Sequence, residues 1–275
     1  MRWLKFLLSH SLFVSLCAAA LSCQTSILLQ KQIDWSFCSL IFWLTLGTYN
    51  LYWGLSKWSF EITCPKVFSN YLINIILMVV STVALLFYLS LLFSIWPYLI
   101  IASLSTILYC LPLIYKESFV KYRKIGFIKT LLLAFTWTFV TVVFPAHSIF
   151  ATNFLEIFFV FSFRFLFLLT LCIIFDLRDS KIDLFHGIRS LATELSKQSA
   201  NLIMVIIFFL QLFVTIFFLK FKLENSQSIV LFTTAVLSIG CYFLSAIKER
   251  SYYFYYFLVD GLMLFSAIAS YIATI

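Results

Sequence analysis

Long apolar runs dominate the chain, and its charged residues are mostly collected into short stretches between them. Nine of these runs have the length of about 20 residues that a helix needs to cross a bilayer. They cover about residues 3–23, 36–54, 71–91, 95–114, 127–146, 153–175, 201–219, 228–247 and 252–274. No linker or Pro/Gly/Ser-rich spacer divides the chain. We therefore predict one domain, residues 1–275, folded as an all-α integral membrane bundle of nine transmembrane helices.

The composition agrees with a membrane protein. Hydrophobic residues make up 63% of the chain and charged residues 11%, whereas soluble domains carry about 25% charged residues. The net charge of +8 therefore indicates basic cytoplasmic loops rather than nucleic-acid binding. With the N-terminus in the cytoplasm, fifteen of the 19 lysine and arginine residues fall on the inner side and three on the outer side. We predict a protein of the cell (inner) membrane with a cytoplasmic N-terminus.

The first span also has features of a cleaved signal peptide, because Arg2 and Lys5 precede an apolar stretch that ends in small residues. Ala20 stands where a lipoprotein signal has leucine, three residues before Cys23, so we favour a retained helix.

The seven cysteines form no Cys-x-x-Cys pair, which favours buried free thiols over a metal site or a disulfide framework. Cys23 and Cys38 both fall near the outer face, where a disulfide is the less favoured of two interpretations.

Three carboxylates follow the sixth apolar span at Asp176, Asp179 and Asp183. If the helix continues past the membrane edge, positions i, i+3 and i+7 share one face. A divalent cation would relieve their mutual repulsion, and their oxygen ligands suit Mg²⁺. Arg178 and Arg189 lie beside them and are suited to contact phosphate oxygens. The alternative is a solvated, charged helix end at the cytoplasmic face.

Residues 178–190 read Arg-Asp-x-x-x-Asp-x-x-x-Gly-Ile-Arg-Ser. This pattern resembles the second aspartate-rich motif of the UbiA superfamily of membrane prenyltransferases, in particular the menaquinone- and ubiquinone-type members. The resemblance implies that Asp176, Asp179 and Asp183 hold Mg²⁺ and serve catalysis, while Arg178 and Arg189 neutralise an isoprenoid diphosphate. It also implies a nine-helix UbiA-like fold with metal-binding loops after the second and sixth helices.

The first aspartate-rich motif of that family, Asn-x-x-x-Asp-x-x-x-Asp, is degenerate in this chain. Asn50 is in place after the second span, but Gly54 and Trp58 stand where the two aspartates are expected. Neither side chain offers magnesium an oxygen ligand. The resemblance implies that Asn50 orients a ligand and that Lys57 contacts phosphate, although a lysine at this place also fits an interface anchor.

The loop after the fourth span, residues 116–129, is strongly basic. The resemblance implies that Lys121 and Arg123 help to cap an anionic substrate. The alternative is that the loop attracts anionic lipid head groups.

Two charged residues lie deep inside predicted spans, Arg164 in the sixth and Asp260 in the ninth. They lie roughly 18 Å and 13 Å from the cytoplasmic side along their helices. Charges within the membrane usually face the interior of the bundle and have a partner. We predict that both face the interior, where each pairs with the other or with another polar group, and a role in lining a cavity is the alternative.

These features together predict a magnesium-dependent prenyltransferase that transfers an isoprenoid from its diphosphate to a lipophilic, for example aromatic, acceptor. Its partners would be these substrates and membrane lipids, with no nucleic acid. The loss of acids at positions 54 and 58 keeps an alternative open, a non-catalytic UbiA-like protein that binds a lipid or a protein partner.

Overall fold

The computed structural model describes residues 2–60, 68–110, 126–149, 153–185, 191–220 and 224–275, and contains no strand in these ranges. The α-helices are α1 Arg2–Ser9, α2 Leu12–Leu28, α3 Trp35–Phe60, α4 Phe68–Leu86, α5 Leu89–Ser94, α6 Trp96–Cys110, α7 Gly126–Thr138, α8 Phe154–Phe185, α9 Leu191–Glu194, α10 Lys197–Leu219, α11 Asn225–Ile247 and α12 Asp260–Ile272. A π-helical stretch, Phe139–Val143, continues α7 towards two short turns, Phe144–Ala146 and His147–Ile149. A second π-helical stretch, Phe254–Val259, leads into α12.

Each predicted span falls largely on helical residues in the described part of the chain. Five helices there are long and apolar enough to cross a membrane: Ile128–Ile149, Phe154–Ser180, Lys197–Leu219, Asn225–Ile247 and Phe254–Ile272. A sixth results if α1 and α2 are counted as one bent span, and Leu72–Leu86 and Trp96–Cys110 are shorter apolar helices. The all-α membrane bundle is confirmed, whereas the count of nine spans stays a prediction.

The first predicted span, residues 3–23, is bent in the structure. The chain bends by 70° between α1 and α2, and α2 continues to Leu28. The bend follows from Ser11, which adopts a left-handed backbone with φ of 62° and so interrupts the right-handed helix. Ser15 restores the pattern, because its backbone N–H and its hydroxyl both donate to the carbonyl of Ser11.

Helix α8 is the centre of the bundle. Before its acidic end, the helix is mostly apolar on all its faces, as expected for a helix that is buried on most sides. Phe163, Phe167, Ile173 and Ile174 are all buried, and the helix packs against α7, α10 and α11. The acidic end of α8 is therefore held at one end of a closely packed core.

Helix α2 lies between α3 and α12, and α3 also packs along α4. The contact between α3 and α4 is close at Gly47, where an added Cβ would lie 3.3 Å from the Cβ of Ser81. Small residues allow such close approach of membrane helices. The second half of α3 carries Tyr49 and Asn50, and Tyr49 contacts Trp137 on α7.

Candidate active site

Helix α8 continues to Phe185, well beyond its apolar part, so the prediction of a continuous helix through the acidic stretch is confirmed. Asp176 and Asp179 consequently lie on one helix face with position 183. The side chain of Asp183, together with Arg189, lies outside the described residues.

Both acids that the structure describes already have partners in the protein. The half-buried carboxylate of Asp176 accepts a hydrogen bond from the hydroxyl of Thr130 on α7. Asp179 receives a two-pronged interaction from Arg178, whose Nε and Nη2 each donate to one carboxylate oxygen over 2.7 Å. This fork-to-fork geometry is the strong form of a charge-assisted hydrogen bond. Arg178 is thus placed beside the acids in the way that neutralisation of an anionic group requires.

Aromatic rings surround the guanidinium group of Arg178. Its central carbon lies 4.8 Å from the ring centre of Phe175, 4.7 Å from that of Tyr256 and 5.6 Å from that of Tyr255. These cation–π contacts hold the planar group in one orientation. Its third nitrogen, Nη1, is buried and has no hydrogen-bond partner among the described residues. A buried guanidinium nitrogen whose two N–H groups have no acceptor in the described part of the protein is suited to bind an acceptor from a ligand.

An apolar cavity of about 290 Å³ lies between α3, α6 and α7. Its size is near the lower end of the range for small-molecule pockets. Five of its lining side chains are aromatic: Tyr49, Tyr52, Tyr109, Trp137 and Phe144. Trp137 donates a hydrogen bond from Nε1 to the hydroxyl of Tyr49 over 3.0 Å, and the rings of Tyr52 and Tyr109 lie 5.6 Å apart. The cavity wall thus has a rigid aromatic part.

The cavity and the acidic end of α8 are neighbours. Thr130, which binds Asp176, and Trp137, which lines the cavity, are seven residues apart on α7 and therefore share one face. Tyr109 also lies within electrostatic range of Asp176, and Tyr49 lies within that of Asp260. Helix α7 thus connects the apolar cavity to the acids of α8, an arrangement that suits an amphiphilic ligand with an anionic head.

No protein-family model matches the chain, and no curated protein matches it. Among solved structures, the chain is similar to digeranylgeranylglyceryl phosphate synthase, with 17% identity, coverage of 99% of each chain and a TM-score of 0.54. That protein is a UbiA-type prenyltransferase. The chain has the UbiA-type fold. At this level of identity the similarity concerns the path of the chain, so the chemistry of the site has to be argued from its own residues.

The side chain that matches the first motif of the UbiA family is buried in the protein. Asn50 is 2% exposed, and its Nδ2 donates to the backbone carbonyls of Leu46 over 2.8 Å and of His10 over 3.4 Å. Its Oδ1 has no hydrogen-bond partner among the described residues. Asn50 does not line the cavity, and its hydrogen bonds go to the backbone of Leu46 and His10 rather than to the acids of α8. The side chain of Lys57, and the residues Lys121 and Arg123, lie outside the described residues.

A magnesium site in this UbiA-type fold would have to be built on α8. Within the described ranges, no three His, Cys, Asp or Glu residues lie close enough to hold a metal ion. Asp176 and Asp179 nevertheless supply oxygen ligands of the kind that magnesium prefers. The carboxylate of Asp179 is shared with Arg178, so a metal ion there would compete with that ion pair. Among the described residues, the carboxylates of Asp176 and Asp179 therefore fit Mg²⁺ in chemistry.

The two charges inside the spans both face the interior of the bundle, as predicted, but Arg164 is bound by neutral groups. It is 1% exposed, and it donates to Gln24 Oε1 over 2.8 Å and to the carbonyl of Leu21 over 3.0 Å. Asp260 is 8% exposed and lies within electrostatic range of Arg178. Among the described residues, Arg164 and Asp260 form no ion pair with each other, since the partners of Arg164 are neutral groups.

Several residues of the site could not be selected from the sequence. Tyr256 covers Arg178, a contact that its place in a run of tyrosines does not indicate. Thr130 lies in an ordinary apolar span and carries no local signal of its contact with Asp176. Tyr49 and Trp137 are far apart in sequence and meet only when α3 packs near α7.

Proposed function

We propose that the protein is a membrane prenyltransferase that transfers an isoprenoid from its diphosphate to a lipophilic acceptor. The observation that carries this proposal is an apolar cavity lined in part by α7, the helix whose Thr130 also binds Asp176 next to the pair Arg178–Asp179. An isoprenoid diphosphate has the same division into an apolar chain and an anionic head. The chain would occupy the cavity, and the head would lie at the end of α8.

Arg178 would hold the diphosphate. Its Nη1 has no acceptor among the described residues, and the aromatic rings around it hold the group in place. When the allylic C–O bond breaks, the bonding electrons leave with the diphosphate, and a fixed cation stabilises that leaving anion. We propose that Arg189, Lys57, Lys121 and Arg123 add positive charge around the same head group.

The aromatic wall of the cavity would act on the other product of bond cleavage. Ionisation leaves positive charge on the allylic carbons, and the faces of aromatic rings attract cations. Tyr49, Tyr52 and Trp137 line the cavity and would do this. The acceptor would then attack the allylic carbon and release its proton.

Magnesium would be held by Asp176, Asp179 and Asp183 and would neutralise further charge on the leaving diphosphate. Asp179 would then be shared between the metal ion and Arg178, while the unpartnered Nη1 of Arg178 would bind a phosphate oxygen. We propose in addition that Asn50 orients a ligand, through its unpartnered Oδ1, and that the acidic end of α8 faces the cytoplasm.

The test is binding of isoprenoid diphosphates of several chain lengths to the purified protein in lipid nanodiscs, with and without Mg²⁺. We expect binding that requires the cation, followed by diphosphate release when a suitable acceptor from a panel of lipophilic phenols and polyprenyl acceptors is added. Magnesium-dependent binding without turnover against any acceptor would leave a binding protein. Binding of lipids that is indifferent to magnesium would favour the non-catalytic alternative and contradict the proposal.

A further inference from the structure

Two cysteines on neighbouring helices lie unusually close together at the end of the bundle opposite the acids. The Sγ atoms of Cys23 on α2 and Cys38 on α3 are 2.8 Å apart. Non-bonded heavy atoms pack best at about 3.5–4.0 Å, and a disulfide bond is about 2.05 Å long. Both are thiols in this structure. The side chains are therefore already closer than ordinary packing would bring them and point towards each other.

The surrounding backbone holds this arrangement in place. The N–H of Lys31 donates to the carbonyl of Ser26 at the end of α2. Asp34 begins α3, because its Oδ1 accepts hydrogen bonds from the N–H groups of Ser36 and Phe37. Both ends of the connection between the two helices are thus fixed, and the short distance between the thiols follows from the fold of the hairpin.

The pair lies far from the proposed catalytic end. The Nζ of Lys31 donates to Ser148 Oγ over 3.0 Å, which places the α2–α3 connection beside the segment that leads into α8. Asp176 lies 22 residues after the start of α8 at Phe154, so roughly 33 Å away along the helix axis. If the acids face the cytoplasm, as the charge distribution predicts, the cysteines lie near the outer face, where disulfides persist.

We propose that Cys23 and Cys38 form a disulfide bond in the mature protein. The two thiols lose two protons and two electrons as the S–S bond forms, and a disulfide-bearing thiol oxidoreductase of the outer compartment takes up the electrons by thiol–disulfide exchange. This is the less favoured interpretation of the sequence, and the geometry reverses that preference. The modification is separate from the proposed prenyl transfer.

The bond would fasten α2 to α3. Helix α2 contributes Ala18 to the cavity wall and Gln24 to the partners of Arg164, while α3 contributes Tyr49. A cross-link that closes a short loop restricts the unfolded chain and stabilises the folded one. We therefore expect reduction to lower the thermal unfolding midpoint of the protein.

The test is mapping of the thiols in membranes of cells that express the full chain. Cells are quenched with acid, free thiols are alkylated with N-ethylmaleimide, and the protein is digested without reductant. We expect a linked peptide pair containing Cys23 and Cys38, which disappears after treatment with dithiothreitol. If both cysteines carry the maleimide in the unreduced sample, the proposal is wrong.

Single variants distinguish this bond from any other cross-link. In Cys23→Ser, Cys38 should become fully alkylated, and the converse should hold for Cys38→Ser. Dithiothreitol should lower the unfolding midpoint of the parent protein but not that of either variant, because only the parent has the bond to lose. A Cys38 that stays blocked in Cys23→Ser, or a reductant effect that survives in both variants, would overturn the assignment.

Discussion

Replacing Arg178 by lysine tests the centre of the proposed site while it keeps the positive charge. Lysine loses the planar fork that binds Asp179 and the stacking on Phe175 and Tyr256. It also loses the buried Nη1 donor that we assign to a phosphate oxygen. The charge stays, so any loss of binding reports the geometry of the guanidinium group.

The expected magnitude follows from the contacts. A hydrogen bond to a charged group contributes about 1.5–3 kcal/mol, so loss of the one from Nη1 should weaken magnesium-dependent diphosphate binding by about 10- to 150-fold. The effect on folding should be much smaller. The side chains of Arg178 and Asp179 are 21% and 38% exposed, so solvent reaches their ion pair. Ion pairs that solvent can reach contribute at most about 1 kcal/mol to the free energy of unfolding.

The assay is titration of the nanodisc protein with an isoprenoid diphosphate at saturating Mg²⁺, with the thermal unfolding midpoint measured on the same samples. Arg250→Lys is the matched control, since Arg250 also lies over an aromatic ring, Phe254, but its Nε donates to the backbone carbonyl of Leu244 rather than to a carboxylate. If Arg178→Lys bound the diphosphate as tightly as the parent, or if Arg250→Lys lost affinity equally, the proposed role of Arg178 would be refuted.

Three further predictions follow. Asp179→Asn should abolish magnesium-dependent diphosphate binding and any turnover, because it removes a central carboxylate. Gly54→Asp should leave activity intact or raise it. Full activity of Asp179→Asn in the transfer assay would contradict this prediction. Ala102→Leu should shift the ratio of binding affinities towards shorter isoprenoid chains by about tenfold or more. Ala102 lines the cavity, and each methylene group excluded from an apolar pocket costs about 0.8 kcal/mol of binding free energy. The measurement is the relative binding of diphosphates of increasing chain length. Gln24→Leu should destabilise the protein by about 1.5–3 kcal/mol, because Arg164 would lose a hydrogen-bond acceptor in the core. Adding Arg164→Met should restore part of that stability. Equal thermal unfolding midpoints for the parent and Gln24→Leu would show that the contact is not required.

The sequence by itself determined the class of the fold. Where water cannot reach the backbone, its N–H and C=O groups must form hydrogen bonds within the protein, and an apolar run of about 20 residues does so as a helix. The structure has helices in each of those places. The sequence also located the acidic end of α8, because three carboxylates at helical spacing form a pattern within one element. The burial of Arg164 and Asp260 was predicted for the same kind of reason, since charge in an apolar span is costly wherever it faces lipid.

The tertiary structure decided which residues meet. The contacts between Thr130 and Asp176, Tyr49 and Trp137, and Arg164 and Gln24 join positions on different helices, and local spacing carries no information about such pairs. The bend at Ser11 and the approach of Cys23 to Cys38 depend in the same way on how α2 packs against its neighbours. A pattern along one helix fixes which face a side chain occupies, but the partner of that face is set only when the helices pack.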